Sequence, residues 1–479
     1  MDTHQDRYHI FNKFNKISTL TLNIRKKIPL LLPAILLFTF IFTWAAANVA
    51  VGQDQGMFSD QKLITPELRS PEDVFAADLD GDGDQDVLSA SGVFDDSKIA
   101  WYENDGSGGF GDQQVITTDV DRAKSVFAAD LDGDGDNDVL SASSISNSSI
   151  DDKIAWYENE GAGGFGPQQV ITTEASDAQS VFAADLDGDG DQDVLSANES
   201  FGDNITWYEN EDSGGFGDQQ VITTEASSAQ SVFAADLDGD GDSDVLSASG
   251  TEFNDDSKIA WYENDGSGDF GDQQVITTSA DLARSVFAAD LDGDGASDVL
   301  SASIVDDKIA WYENDGSGGF GDQQVITTDA DAAQSVYAAD LNGDGDMDVL
   351  SASGFFNFSN SKGKIAWYEN DGSGGFSDQQ VITTDVVEAK SVFAADLDGD
   401  NDMDVLSATE EDDNKIAWYE NDGSGGFSDP QVIISDADFA LSVYAVDLDE
   451  DGNKDVLSAS SGDDKIAWYE NDGSGGFGD

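Results

Sequence analysis

The residues Asp78-Leu-Asp80-Gly-Asp82-Gly-Asp84-Gln-Asp86 place five carboxylates at alternate positions on a chain that its glycines allow to curl tightly. Hard oxygen donors packed this closely suit a divalent cation, calcium above all. The alternative is a solvated acidic turn. Without a cation each close carboxylate pair would cost about 4 kcal/mol at an effective dielectric near 20, so such a turn would be loose.

The stretch occurs eight times, and the copies sort its donors. At positions one, three, five, seven and nine stand Asp78, Asp80, Asp82, Asp84 and Asp86; Asp130, Asp132, Asp134, Asp136 and Asp138; Asp185, Asp187, Asp189, Asp191 and Asp193; and Asp236, Asp238, Asp240, Asp242 and Asp244. The second half of the chain follows with Asp290, Asp292, Asp294, Ala296 and Asp298; Asp340, Asn342, Asp344, Asp346 and Asp348; Asp396, Asp398, Asp400, Asp402 and Asp404; and Asp447, Asp449, Asp451, Asn453 and Asp455. Positions one, five and nine never change. Position three keeps an oxygen even as Asn342. Position seven tolerates Ala296, as expected if only its backbone carbonyl is used. Position eight wanders from Gln85 to Lys454 and reads as solvent-facing. Asn401 at position six suits the left-handed turn that glycine makes elsewhere, whereas Glu450 at position four sets the eighth loop apart.

An EF-hand shares the early pattern but needs Glu at position twelve and flanking helices. Position twelve here is Ser89, and the flanks, Val-Phe-Ala-Ala and Val-Leu-Ser-Ala, read as strands. The Asp-x-Asp-Gly-Asp-Gly-x-x-Asp loop between two strands instead resembles the FG-GAP/VCBS repeat, the calcium-binding blade of integrin-α-type β-propellers, over residues 57–479. That resemblance implies ligands from positions one, three, five and nine plus the carbonyl of seven, and about one Ca2+ per repeat.

The elements that must position these loops are legible from the repeat. Each unit of about 50 residues carries four apolar stretches of strand length, such as 125–129, 139–143, 153–157 and 168–173, parted by Asp/Gly/Ser/Asn clusters. No helical periodicity follows residue 52. Four short strands per unit predict an all-β propeller of four-stranded antiparallel blades, with a linear solenoid as the alternative. Each Trp precedes the next first aspartate by 29 residues, as Trp101 does Asp130, while the ninth-position aspartate precedes the next Trp by 13 (Asp298 to Trp311) to 19 (Asp348 to Trp367). All length variation therefore falls between the second and third strands. Strand alternation puts the acidic loops and the Asn-Asp-Gly-Ser-Gly-Gly hairpins on one face, and the variable loops and blade connectors on the other. Residues 58–65 match 110–117, so the expected ring has eight blades and is closed by the N-terminal strand. The alternative is a truncated longer protein.

Residues 1–52 combine a basic start with an apolar run over 28–51 and the small residues Ala45-Ala46-Ala47, the pattern of an export signal, or of an uncleaved anchor. The propeller over 57–479 is then expected to be secreted or at the cell surface. Those first residues hold six Lys/Arg and two Asp/Glu of the chain's 21 and 99, which leaves 15 against 97 and a net charge of −82. Such a surface repels nucleic acid and anionic membranes. Cysteine is absent, so the fold must rest on core, metal or topology.

Both histidines, His4 and His9, lie in the signal. Triads built on His or Cys, zinc held by them and a His general base are excluded for the rest. Glu103 recurs in every blade as far as Glu470, which marks scaffold rather than a single active site. The expectation is a non-catalytic recognition or adhesion module, monomeric as a ring, binding an extracellular protein or glycan. A lectin-like or polysaccharide-associated propeller and a structural surface or matrix protein are the alternatives. The variable loops carry phenylalanines that no strand explains, with Phe355, Phe356 and Phe358 as the expected centre of contact.

Overall fold

The computed structural model describes residues 62–65, 70–92, 97–106, 109–143, 152–175, 178–198, 204–211, 214–250, 257–354, 363–410, 414–435 and 437–471. These residues form thirty-two strands, β1–β32 in chain order, and no helix. They build eight four-stranded sheets, and every strand pairing is antiparallel within its blade. The first blade is β2 (Pro71–Ala77), β3 (Asp86–Ser91), β4 (Lys98–Tyr102) and β5 (Gln114–Thr117). The expected four-stranded blade is thus observed eight times. The innermost strand starts two residues before the apolar stretch that marks it, because Ala123 of the second blade already pairs with Ser143.

Strand burial explains the composition. In β4 Ile99, Ala100, Trp101 and Tyr102 are buried in succession, because both faces of the third strand are covered by neighbouring blades. Each large side chain buried there contributes about 1.5–3 kcal/mol of transfer free energy. Between blades the Trp is the principal contact. Trp101 meets Phe165 of the second blade edge-on, with centroids 6.1 Å apart and planes at 71°.

Closure uses the N-terminal strand. β1 (Lys62–Thr65) completes the sheet of β30 (Ala440–Val446), β31 (Asp455–Ser460) and β32 (Lys465–Tyr469). Lys62 lies opposite Trp468 and Thr65 opposite Ile466, the register that Gln114 and Thr117 hold against Trp101 and Ile99. Phe110 of the first blade packs on Trp468 of the eighth at 5.9 Å, so the seam has the same aromatic contact as six other junctions among the described residues. The ring closes as the terminal sequence match predicts.

The outermost strand is irregular in every blade, and four residues long in all but the sixth, where Gln380–Val386 has seven. In the first blade Val115 pairs with Ala100 and Thr117 with Ile99, leaving Ile116 as an extra residue, a bulge on the sheet edge. Ile116 turns onto the core while Val115 stays half exposed.

Candidate metal centre

Each acidic loop joins the first and second strands of a blade, and its curl is held by its own carboxylates. Asp78 accepts from the backbone N–H of Gly81 on Oδ1 (2.8 Å) and of Gly83 on Oδ2 (3.1 Å). Oδ1 of Asp80 and of Asp82 accept from the N–H two residues ahead, at 3.2 and 3.0 Å. Gly81 and Gly83 have φ of +77° and +105°, the left-handed region that the curl requires. Asn401 takes φ +75° and donates to Asp396 Oδ2 at 3.1 Å, so the seventh loop keeps the geometry of the glycine loops, as expected.

The carboxylates converge. One oxygen from each of positions one, three and nine lies within 4.8 Å of the others in the first four repeats (Asp78, Asp80 and Asp86 in the first), and Asp290, Asp292 and Asp294 do the same in the fifth. Burial and neighbouring carboxylates raise the acids at position three, Asp80 and Asp132 among them. These groups, all hard oxygen with no nitrogen or sulfur, could hold a metal ion, and the donor set fits a hard divalent cation. The eighth loop adds a second sign of fit. In the other seven, the position-four N–H satisfies Oδ1 of position one at 2.7–2.8 Å. Glu450, at φ +57°, makes no such bond, and Asp447 Oδ1 is buried with no hydrogen-bond partner. The eighth loop does differ from the rest, as its sequence suggests.

Position seven is placed apart from the others. A Cβ on Gly106, in the hairpin of the same blade, would fall 2.3 Å from Asp84 Oδ2, so this carboxylate lies over the hairpin glycine. Its side chain has a different job from those at one, three and nine, which accounts for the tolerance of Ala296. At that alanine a cavity of about 380 Å³ opens between the fourth and fifth blades, lined by Asp236, Gly239, Asp294, Ala296, Asp315 and Gly316 among others.

Position nine does more than offer a donor. Asp86 is fully buried, accepting from Leu79 N–H on Oδ2 and Asn104 N–H on Oδ1, both at 2.8 Å. Burial pushes its carboxyl up to about 7 against these two bonds, with Asp80 and Asp82 adding to the rise. All eight equivalents repeat the pair of bonds at 2.7–2.9 Å.

The hairpin asparagine is the residue that sequence reasoning missed. Asn104, Asn159, Asn210, Asn264, Asn314, Asn370, Asn421 and Asn471 are all buried. Each donates one side-chain N–H to the position-eight carbonyl of its own loop, and another to the carbonyl of the loop leucine one blade earlier. Asn159 thus reaches Asn137 O at 2.9 Å and Leu79 O at 2.7 Å. The inter-blade bond is 2.6 Å for Asn210, Asn264, Asn314, Asn370 and Asn421, and Asn471 bonds Leu397 in the same way. Asn104 bonds Leu448 across the seam, which completes the circle. The available signal was an asparagine three residues after the Trp of every blade, next to a position that varies between Asp and Glu.

Among the described residues the opposite face carries much of the positive charge. Lys98, Lys153, Lys258, Lys308, Lys364 and Lys465 each lie at the start of a third strand, beside the variable loops. Several are paired there, as Lys308 is with Asp306 at 2.6 Å and Lys364 with Asp329 at 3.2 Å. Phe94, Phe201, Phe253, Phe355, Phe356 and Phe358 lie outside the described residues, as do residues 1–52 with the expected signal. Among the described residues no helix is long and apolar enough to cross a membrane.

With this geometry in place, comparison with known proteins gives one strong match. A family model described as FG-GAP-like repeat matches residues 78–141, 135–196, 185–247, 244–301, 290–351, 355–407 and 396–458. No curated protein matches in sequence. Similar solved structures include an Agrocybe aegerita lectin described for recognition of non-reducing terminal N-acetylglucosamine. It is 19% identical with a TM-score of 0.47, and the match covers 78% of this chain and 92% of that one. Another is a V. cholerae biofilm matrix protein, 14% identical with a TM-score of 0.45, the match covering 86% and 90%.

Proposed function

Because the chain belongs to the FG-GAP-like repeat family, we propose that it is an exported, calcium-stabilised propeller that serves as a non-catalytic recognition or adhesion module. The observation that carries this reading is the convergence of acidic oxygens in loop after loop, each loop tied by its ninth aspartate to the hairpin of its own blade. In each loop the side-chain oxygens at positions one, three, five and nine, with the carbonyl of seven, would hold one Ca2+. The ion supplies the positive charge that lets these acids share a small volume.

The partner is an extracellular protein or glycan, met by the variable loops. Three things support that side. It holds all the length variation, it lies opposite the acidic loops, and its lysines moderate a charge that elsewhere repels an approaching surface. Export is supported by the basic and apolar residues 1–52. The absence of His and Cys after residue 9, and the recurrence of each hairpin carboxylate in every blade, support a non-catalytic role.

Calorimetry in millimolar calcium against excess chelator tests the metal half. The expected result is a higher melting temperature with calcium, since a ligand bound at 100 times its Kd contributes about 2.7 kcal/mol per site; equal melting temperatures overturn it. Capture from the native surface tests the other half. The triple change Phe355→Ser, Phe356→Ser and Phe358→Ser is expected to abolish capture without changing the melting temperature, and unchanged capture removes these residues from the contact.

A further inference from the structure

The buried bonds around the acidic loops form one continuous path. Within the fifth blade Leu291 N–H and Asn314 N–H both donate to Asp298. The side chain of Asn314 then donates to Leu237 O of the fourth loop at 2.6 Å. Leu237 N–H in turn donates to Asp244, the ninth residue of that fourth loop, at 2.8 Å. The path therefore runs from carboxylate to asparagine to the backbone of the loop leucine to carboxylate, and it passes a loop at every step. All of its groups are buried, so none can exchange its partner for water without loss.

We propose that Asn314 and its equivalents are positioning residues that couple the filling of adjacent loops, an inference that rests on the calcium reading above. A cation that orders the fourth loop fixes the Leu237 backbone, because Leu237 lies between the donors at positions one and three and its N–H bonds the position-nine donor. The fixed carbonyl holds the Asn314 side chain, and with it the residue whose backbone N–H donates to Oδ1 of Asp298 at 2.7 Å. The fifth loop then has its ninth donor in place before an ion arrives. By linkage the fifth loop acts on the fourth by the same factor. Charge opposes this, because each bound ion weakens the field that attracts the next. That term is long-ranged and screened by salt, whereas buried hydrogen bonds are not.

The test is hydrogen exchange read by mass spectrometry on the full chain during a calcium titration in 1 M KCl, where the Debye length is about 3 Å. The fifth loop has its own mass through Ala296. Asp236→Asn with Asp240→Asn disables the fourth loop. The expected result is that the midpoints for protection of the third and fifth loops move about three- to tenfold towards higher calcium, the worth of one buried hydrogen bond. The eighth loop, on the far side of the ring, stays where it was. Adding Asn314→Ala removes the shift at the fifth loop and leaves that at the third, which depends on Asn264 and Leu186. If Asn314→Ala does not fold, Asn314→Ser replaces it. Unmoved third and fifth loops, or an eighth loop that moves equally, overturn the coupling. No calcium-dependent protection in any loop of the unaltered chain overturns the calcium reading itself.

Discussion

Trp261 of the fourth blade abuts Gly318 of the fifth, so closely that a Cβ on that glycine would fall 2.4 Å from Trp Cζ2. Gly318 also has φ +71°. Two requirements therefore meet at one residue, a left-handed backbone and a missing side chain. Gly318→Ala is expected to destabilise the ring by about 2–4 kcal/mol, combining the left-handed cost with overpacking against a buried ring. Gly321→Ala, where the nearest atom to a Cβ would be 3.6 Å away, is expected to change little. Urea unfolding of the two variants against the parent checks the contrast.

Acid should act in opposite directions with and without calcium. Burial raises Asp86, Asp138, Asp193, Asp404 and Asp455 to about 7, and Asp244, Asp298 and Asp348 to about 6, from an ordinary value of 3.8. A carboxyl raised in the folded chain contributes stability that is full below the unfolded value and lost as pH rises through the folded one. In chelator the melting temperature is therefore expected to rise as pH falls from 8 to 5. In saturating calcium it is expected to fall over the same window, because protons displace the ion. Thermal melts in the two buffers decide it, and parallel slopes would count against position nine as a ligand.

Glu450 costs the eighth loop both its turn and a hydrogen bond. A side chain at φ +57° is strained by about 1–2 kcal/mol, and the Glu450 carboxylate also helps raise Asp84 across the seam, after the effect of burial. Glu450→Gly is expected to raise the melting temperature by on the order of 1–2 °C in a chain of this size. It should also restore to Asp447 Oδ1 the N–H that position four supplies in the other loops. Protection of the eighth loop in hydrogen exchange is the second readout.

Removing residues 1–66 takes away β1 and leaves β32 unpaired along its outer side. The shortened chain is expected to melt at lower temperature and to associate through the bare edge. A synthetic peptide of residues 58–66 should reverse both effects, and size-exclusion chromatography with and without it is the measurement.

How much of this could be read from the chain follows from what repeats reveal. Loops, blade number and closure were legible because eight copies display which positions may vary, and because residues 58–65 duplicate 110–117. That the position-seven side chain stands apart was legible for the same reason, since Ala296 replaces it in one loop. Asn159 was not. Asparagine before Asp-Gly or Glu-Gly is what any turn would contain, and its partner, Leu79 O, is a backbone atom 80 residues earlier. A carbonyl leaves no mark on the residue type that carries it. The structural role of Asp86 was hidden by the expected one, because a proposed metal ligand already explains an aspartate that never changes.

The bulged outer strands have a consequence for how such discs can be displayed. A foreign strand that begins to pair at Thr117 is out of step by Val115, because Ile116 has no place in the ladder. On a four-residue outer strand such as Gln114–Thr117 only a stub of uncharged edge remains, too brief to template an added sheet. Many copies can therefore be crowded side by side on one support, rim against rim, without knitting into fibrils.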